Sequence, residues 1–129
     1  MEYAALTGIS DTVISELKGH LLRTIEIRSP QNFFTSLDFD VNDHIFLTRT
    51  SAQDIMRGTS GVVAQVVKHH VSTHKMITGN DTFYEEYESM IIRLQLKPIG
   101  VARINNIISN ELGKVTLVDA EQICFYEAR

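Results

Sequence analysis

Three charged side chains, Arg23, Glu26 and Arg28, interrupt a short apolar run near the start of the chain. Residues 24–28 alternate between polar and apolar types, which predicts a β-strand over residues 22–28. Because an unpaired charge is costly to bury, these side chains indicate a sheet edge, a buried ion pair or the polar wall of a cleft. An arginine guanidinium binds phosphate or carboxylate through two parallel hydrogen bonds, so anion binding is the chemistry that this strand could perform.

Alternation along the strand places Thr24, Glu26 and Arg28 on one face and Arg23 on the other, with the isoleucines. In a functional interpretation, the polar face is one wall of a cleft, and Arg28 is held by Glu26 or by the anion of a ligand. In a structural interpretation, a Glu–Arg pair ties the strand to its neighbours. The pattern alone favours the structural interpretation, because ion pairs of this kind are often structural.

Two histidines, His70 and His74, have the i, i+4 spacing that binds zinc on a helix. They lie in a valine-rich run that predicts a strand, where four residues span about 13 Å, too far for one metal ion. We therefore expect no metal site. Lys68, His70, Ser72 and His74 are interpreted as one polar strand face, which could contact phosphate, although a solvated face is the favoured interpretation.

Other segments carry weaker chemical patterns. Residues 50–61 contain hydroxyls and two glycines before a strand, and the amides of such a loop can hold an anion. The loop lacks the ending of a P-loop and leads into no helix, so an ordinary connection is favoured. The acidic run at Glu85, Glu86 and Glu88 predicts a solvated strand start, with a catalytic carboxylate left open. No nucleophile elbow surrounds a serine, and we predict no catalytic residue and no cofactor.

The composition is that of one folded domain, residues 1–129. The chain is 43% apolar and 22% charged, which allows a sizeable core and argues against disorder. No apolar run is long enough for a membrane span, and no secretory signal is visible. The single cysteine, Cys124, is expected to be buried as a small apolar residue and indicates a cytoplasmic location.

The net charge of −4 argues against a generally basic nucleic-acid-binding protein. The charge is unevenly distributed: residues 20–75 hold six Lys/Arg against five Asp/Glu, and residues 76–129 hold five against eight. The first of these two segments is therefore the better candidate for contact with an anionic ligand.

The periodicities predict the order β-α-β-α-β, followed by a run of strands with one late helix. Helices are predicted at residues 10–18 and 30–37, with Ser10 and Ser29 as caps, and at residues 105–112. Long strands are predicted at residues 62–75 and 84–97, with a turn at residues 79–81 and a bend or edge at Pro98. This order indicates an α+β protein, built on a mixed, partly closed β-barrel with short helices at its ends.

The charged strand resembles a known motif. In ASCH domains, members of the wider PUA-like group, the second element carries G-x-K-x-x-E-x-R, a loop of G-D type precedes the next strand, and a glycine-led strand follows. This chain has Arg23-Thr24-Ile25-Glu26-Ile27-Arg28, then Asn42-Asp43, then Gly61. The whole chain is also similar to an uncharacterised archaeal family, domain-of-unknown-function family 473, which has a similar Ala-Leu-Thr-Gly-Ile-Ser start and a similar Phe-Leu-Thr-x-Thr-Ser segment.

The resemblance implies a cleft between a PUA-like barrel and its helices, lined by Arg23, Thr24, Glu26 and Arg28. On this basis we expect a small domain that binds RNA or a nucleotide-like ligand. Arg23 and Arg28 would meet phosphate or a base edge, and Glu26 would orient Arg28 or accept from a base. Stacking could come from Phe33, Phe34 or Tyr84, although core packing is the favoured interpretation of the two phenylalanines.

Two alternatives remain open at this point. Some ASCH-like enzymes are similar to amidohydrolases that act on acetylated cytidine and rely on the motif lysine. Arg23 occupies that position here, and arginine is a poor base or nucleophile, so a binding protein is predicted over an amidohydrolase with Thr24 and Glu26 near the reacting centre. A non-catalytic interaction protein that uses an exposed strand edge is the other alternative. The sequence does not determine the oligomeric state.

Overall fold

A computed structural model describes the backbone of residues 1–79 and 84–126, and within these the side chains of residues 1–73 and 90–126. The predicted turn at residues 79–81 therefore falls mostly outside the described residues. The elements are β1 (Glu2–Leu6), α1 (Asp11–Lys18), β2 (Arg23–Glu26), α2 (Pro30–Ser36), β3 (His44–Leu47), β4 (Ser60–Gly79), β5 (Tyr84–Ser109) and β6 (Leu117–Phe125).

The six strands form one mixed sheet in the order β2-β5-β4-β3-β1-β6, and β5 also pairs with β6. Five strands thus follow one another around a ring, while β2 pairs, among the described residues, with β5 alone. Strands β1 and β3 are parallel, and the other pairs are antiparallel. The α+β class is confirmed, and an uneven ring of five strands with a sixth strand outside it stands in place of the predicted barrel.

Local signals explain where the two helices begin. The hydroxyl of Ser10 accepts from the backbone N–H of Val13 at 3.3 Å, and that of Ser29 accepts from the N–H of Asn32 at 3.1 Å. Each serine thereby satisfies one of the amides that a helix leaves unpaired at its start. Both predicted caps are confirmed.

The core has two clusters, one on each face of the sheet at β3. In β3, Ile45 and Leu47 belong to the cluster that also contains the apolar residues of α1, whereas Phe46 belongs to the other. Glycine is required where backbones approach closely: a Cβ at Gly61 would overlap the carbonyl of Leu47 and the ring of Phe46. The predicted glycine-led strand therefore reflects a steric requirement.

The predicted helix at residues 105–112 is wrong. Residues up to Ser109 continue β5, where Asn106 pairs with Asp119 and Ile107 with Val118. Asparagine and isoleucine are weak helix formers, so the local preference of these residues for a helix is small. Pairing with β6 outweighs it. The chain turns only afterwards, with Gly113 at a φ of 79°.

The last strand is β6, and Cys124 near its end is exposed, contrary to expectation. Its neighbours Ile123 and Phe125 are 53% and 71% exposed. The end of β6 therefore pairs with β5 and, among the described residues, has no layer packed over it. Within the described chain, neither helix is long and apolar enough to cross a membrane.

Strands β4 and β5 form a long ribbon that is paired from Ser60 and Arg103 to Gly79 and Tyr84. Pro98 lies opposite Ala64 at a shift in the register, so the predicted bend is a β-bulge. Through its pairing with β2, the ribbon places Arg93 of β5 directly opposite Glu26.

Candidate functional site

A cleft of about 510 Å³ runs beside β2. Every residue from Arg23 to Ser29 lines it. Because consecutive residues of a strand point to opposite faces, a cleft that contacts all of them lies along the strand edge. The opposite wall comes from the start of α1 and the turn before it, at Gly8, Ile9, Ser10 and Val13. A volume of this size is typical of small-molecule sites.

The edge of β2 presents backbone groups to the cleft. The N–H of Ile27 donates to the carbonyl of Ile92 at 2.9 Å, so Ile27 faces β5. In an antiparallel pair the direction alternates residue by residue. The N–H and C=O groups of Thr24 and Glu26 therefore point the other way, toward the cleft, as possible ligand contacts.

The four residues that the sequence singled out, Arg23, Thr24, Glu26 and Arg28, all line this cleft. Thr24, Glu26 and Arg28 are exposed, while Ile25 and Ile27 are buried, as the predicted alternation requires. The sequence therefore placed these residues correctly along the strand, and the partners of their charges are what the structure adds.

Glu26 is paired with the neighbouring strand. Its carboxylate Oε2 lies 3.6 Å from Nε of Arg93, the residue directly opposite it in the β2–β5 register. Both side chains are substantially exposed, at 39% and 50%, so the pair contributes at most about 1 kcal/mol. This is the Glu–Arg pair of the structural interpretation, and it leaves Arg28 without the carboxylate that the functional interpretation assigned to it.

Arg23 contacts α1. Its Nε lies 3.1 Å from the carboxylate Oε2 of Glu16, a distance that defines an ion pair. The N–H is not aligned with that oxygen, and the buried Nε has no hydrogen-bond acceptor in the described chain. We therefore regard the contact as electrostatic, joining β2 to α1 across one end of the cleft.

Arg28 differs from both. It is exposed and lines the cleft, and it makes no ion pair or hydrogen bond within residues 1–79 and 84–126. The backbone on either side is held in place, because Ile27 is buried and Ser29 caps α2. Arg28 is thus a free guanidinium on a fixed backbone.

Asn32, which the sequence analysis missed, fixes the geometry between α2 and β1. The backbone N–H of Thr7 donates to Oδ1 of Asn32 at 2.9 Å, and Nδ2 of Asn32 donates to the carbonyl of Thr7 at 2.7 Å. Both residues are buried. No sequence signal distinguishes an asparagine in this role, since its partner is a backbone segment distant in sequence.

Other predicted candidates lie elsewhere. Phe33 packs partly buried against the core, Phe34 is 46% exposed but does not line the cleft, and the side chain of Tyr84 lies outside the described residues. The same is true of the side chains of His74, Glu85, Glu86 and Glu88. Among the described residues there is no cluster of three or more side chains that could hold a metal ion, and the loop at residues 50–61 does not line the cleft.

A second cavity, of about 550 Å³, lies between β1 and the end of β6. Among the described residues that line it, the charged side chains are the carboxylates of Asp119 and Glu121, without a lysine or arginine. Oδ1 of Asp119 is 2.7 Å from the N-terminal amine. This cavity is therefore poorly suited to an anion, in contrast to the cleft beside β2.

Together, the fold and the cleft define a sheet-rich α+β domain whose outer strand borders a polar cleft. The sequence matches the family described as "Protein of unknown function (DUF473)" over residues 1–118, and the chain belongs to that family, as the resemblance predicted. An uncharacterised protein from Methanocaldococcus jannaschii is 28% identical over 103 residues, covering 80% of this chain and 64% of that protein. This chain thus spans somewhat less than two thirds of that relative.

Proposed function

We propose that this chain binds RNA or a nucleotide-like ligand in the cleft beside β2, with Arg28 as the contact to phosphate. The observation that carries this proposal is the free guanidinium of Arg28 at the wall of a cleft of about 510 Å³. A guanidinium group can donate two parallel hydrogen bonds to the oxygens of a phosphate. The neighbouring carboxylate of Glu26 pairs with Arg93 and not with Arg28.

The rest of the lining suits the remainder of such a ligand. Ile9, Val13 and Ile25 offer apolar surface on which a base can lie. The hydroxyl of Thr24 and the edge amides of β2 offer hydrogen bonds to sugar and base atoms. Apolar surface together with convergent polar groups is typical of a small-molecule site.

Arg23 and Glu26 have supporting roles in this proposal. Arg23 adds a second positively charged side chain to the cleft, although it also contacts Glu16, and Glu26 pairs with Arg93 on the neighbouring strand. The kinship with ASCH and PUA-like domains belongs to the same proposal. It is supported by the motif residues Arg23, Glu26 and Arg28, all of which line the cleft.

We also infer a cytoplasmic location from the single cysteine.

The test is binding to ribonucleoside monophosphates and to a short single-stranded RNA, measured by calorimetry at several salt concentrations. We expect Arg28→Gln to weaken binding by roughly tenfold or more, since a charge-assisted hydrogen bond to phosphate is lost. Arg57→Gln is the matched control, because Arg57 is also exposed and lies outside the cleft. Equal affinity of the two variants, or no binding by the unmodified chain at low salt, would remove the proposal.

The alternatives give different outcomes in the same samples. An amidohydrolase would turn over an acetylated nucleoside above the buffer rate and would lose that rate in Thr24→Val. A protein-interaction module would bind neither RNA nor nucleotide. Arginine in place of the motif lysine at Arg23 supports the binding function over the enzyme.

A further inference from the structure

The sheet surface that continues from the cleft has its own charge pattern. Residues directly opposite one another on neighbouring strands share a face of the sheet. The pairing of β2, β5 and β4 defines three rows of directly opposite residues across that surface. These rows are Thr24–Gln95–Lys68, Glu26–Arg93–His70 and Lys97–Gln65–His44, the last of which ends on β3.

This surface faces solvent, and its reverse side faces the core. The residues between the rows, Ile25, Leu94, Leu96 and Val66, are buried in the cluster that the helices cover. Lys68, His70, Arg93 and Lys97 are exposed. The rows therefore form an open face of the sheet, and we call the surface of Lys68, Arg93 and Lys97 the cationic face.

The charges on this face are not balanced. Lys68 and Lys97 make no ion pair in the described part of the chain, and the carboxylate in the rows is that of Glu26, which Arg93 already contacts. Positive charge is thus concentrated here in a chain with a net charge of −4.

The size of the face exceeds what one nucleotide can use. Neighbouring strands are about 4.8 Å apart, so β2 and β4 are separated by roughly 10 Å, and Arg93 and Lys97 by about 13 Å along β5. A ligand confined to the cleft reaches Arg28 and Thr24 but not Lys68 or Lys97. A polyanion that leaves the cleft across β5 passes both lysines.

We propose that the cationic face binds the phosphate backbone of a single-stranded RNA, one nucleotide of which occupies the cleft beside β2. This inference rests on the proposed function of the cleft and narrows its ligand from RNA or a nucleotide to an RNA strand. Charge complementarity selects a polyanion. The cleft selects an unpaired strand, because only an unstacked base can turn into a side pocket.

The test compares a labelled single-stranded RNA of twelve nucleotides, measured by fluorescence anisotropy, with ribonucleoside monophosphates, measured by calorimetry. The variant is K68Q/K97Q, and the control K18Q/R57Q removes two exposed cations from other parts of the surface. We expect K68Q/K97Q to bind RNA roughly tenfold more weakly, because each exposed ion pair is worth a factor of a few. The slope of log affinity against log salt should fall by about 1.4, at about 0.7 per phosphate contact. Its affinity for the monophosphates should not change.

Each other result overturns the inference in a distinguishable way. Equal RNA affinity in K68Q/K97Q and the control would show that the cationic face is not a contact. Monophosphate binding without RNA binding would remove this inference and leave the function of the cleft intact, whereas binding of neither would remove both. Displacement of the RNA by poly-glutamate at equal charge concentration would assign the face to an acidic protein. Thermal unfolding of each variant checks that the fold is retained.

Discussion

The carboxylate of Glu26 lies 3.6 Å from the guanidinium of Arg93 on the neighbouring strand, and Arg28, two residues further along β2, has no carboxylate partner in the described chain. Side chains two residues apart on a strand share a face but are roughly 7 Å apart at their Cα atoms. Direct opposition in the register brings Arg93 closer. This pairing is what leaves a free cation at the cleft.

Removing the charge of Glu26 is therefore expected to strengthen RNA binding. Glu26→Gln frees Arg93 and takes a negative charge from beside Arg28, so we expect RNA to bind roughly twofold to fivefold more tightly. The free energy of unfolding should fall by less than about 1 kcal/mol, since the pair is exposed. Anisotropy and urea denaturation measure the two quantities. Weaker RNA binding in this variant would show instead that the Glu26 carboxylate contacts the ligand.

Asn32 is predicted to matter for stability. Asn32→Ala leaves the buried N–H and C=O of Thr7 without partners, and we expect a loss of about 2 to 4 kcal/mol in the free energy of unfolding. Asn106→Ala is the control, because Asn106 is exposed and should change stability by less than about 0.5 kcal/mol. Similar unfolding midpoints in urea for the two variants would contradict the role of Asn32.

The two glycine environments also predict different costs. A Cβ at Gly61 meets the Leu47 carbonyl and the Phe46 ring, so Gly61→Ala should destabilise the fold by about 3 kcal/mol or more. A Cβ at Gly113 meets nothing, and its φ of 79° adds only backbone strain, so Gly113→Ala should cost about 1 kcal/mol. Calorimetric unfolding of both variants decides this, and an equal loss of stability would show that the strands are not packed as described at Gly61.

Tyr126 gives a prediction at alkaline pH. Partial burial and, secondarily, the nearby Cys124 thiolate raise the pKa of Tyr126 above its usual value of 10.0. A raised pKa in the folded chain means that the protonated phenol is favoured there. The corresponding stability is complete below pH 10 and is lost as the pH rises through the folded pKa.

Tyr126→Phe should therefore reduce the loss of stability above pH 10, as measured by urea denaturation at several pH values. Identical pH profiles for Tyr126→Phe and the unmodified chain would contradict the prediction.

The features that could be predicted from the sequence are those that local signals encode. The caps at Ser10 and Ser29, and the exposure of Thr24, Glu26 and Arg28, follow from side-chain chemistry and the period of a strand. The same reasoning correctly indicated a structural Glu–Arg pair, but not its partner. Arg93 reaches Glu26 only through the register of β2 and β5, which depends on the whole sheet.

The helix predicted at residues 105–112 and the predicted burial of Cys124 were wrong for the same reason, since both depend on contacts across the whole sheet. Residues 105–109 carry a weak helical pattern, and pairing with β6 decides their conformation. Cys124 is exposed because the end of β6 has no layer over it, a property that no local pattern reports. The cationic face could likewise be predicted only in part from the sequence, because Lys68 and Lys97 become neighbours through the β4–β5 register.

The most direct test of the central claim is where a nucleotide perturbs the backbone. In a titration of the labelled chain with a ribonucleoside monophosphate, followed by amide NMR shifts, we expect the largest changes at Thr24, Glu26 and Arg28 and at residues 8–10 across the cleft. The Arg28→Gln variant should lose them at the same ligand concentration. Changes centred instead on Tyr3, Glu121 and Phe125, which line the second cavity, or no changes at all, would contradict the assignment of the cleft.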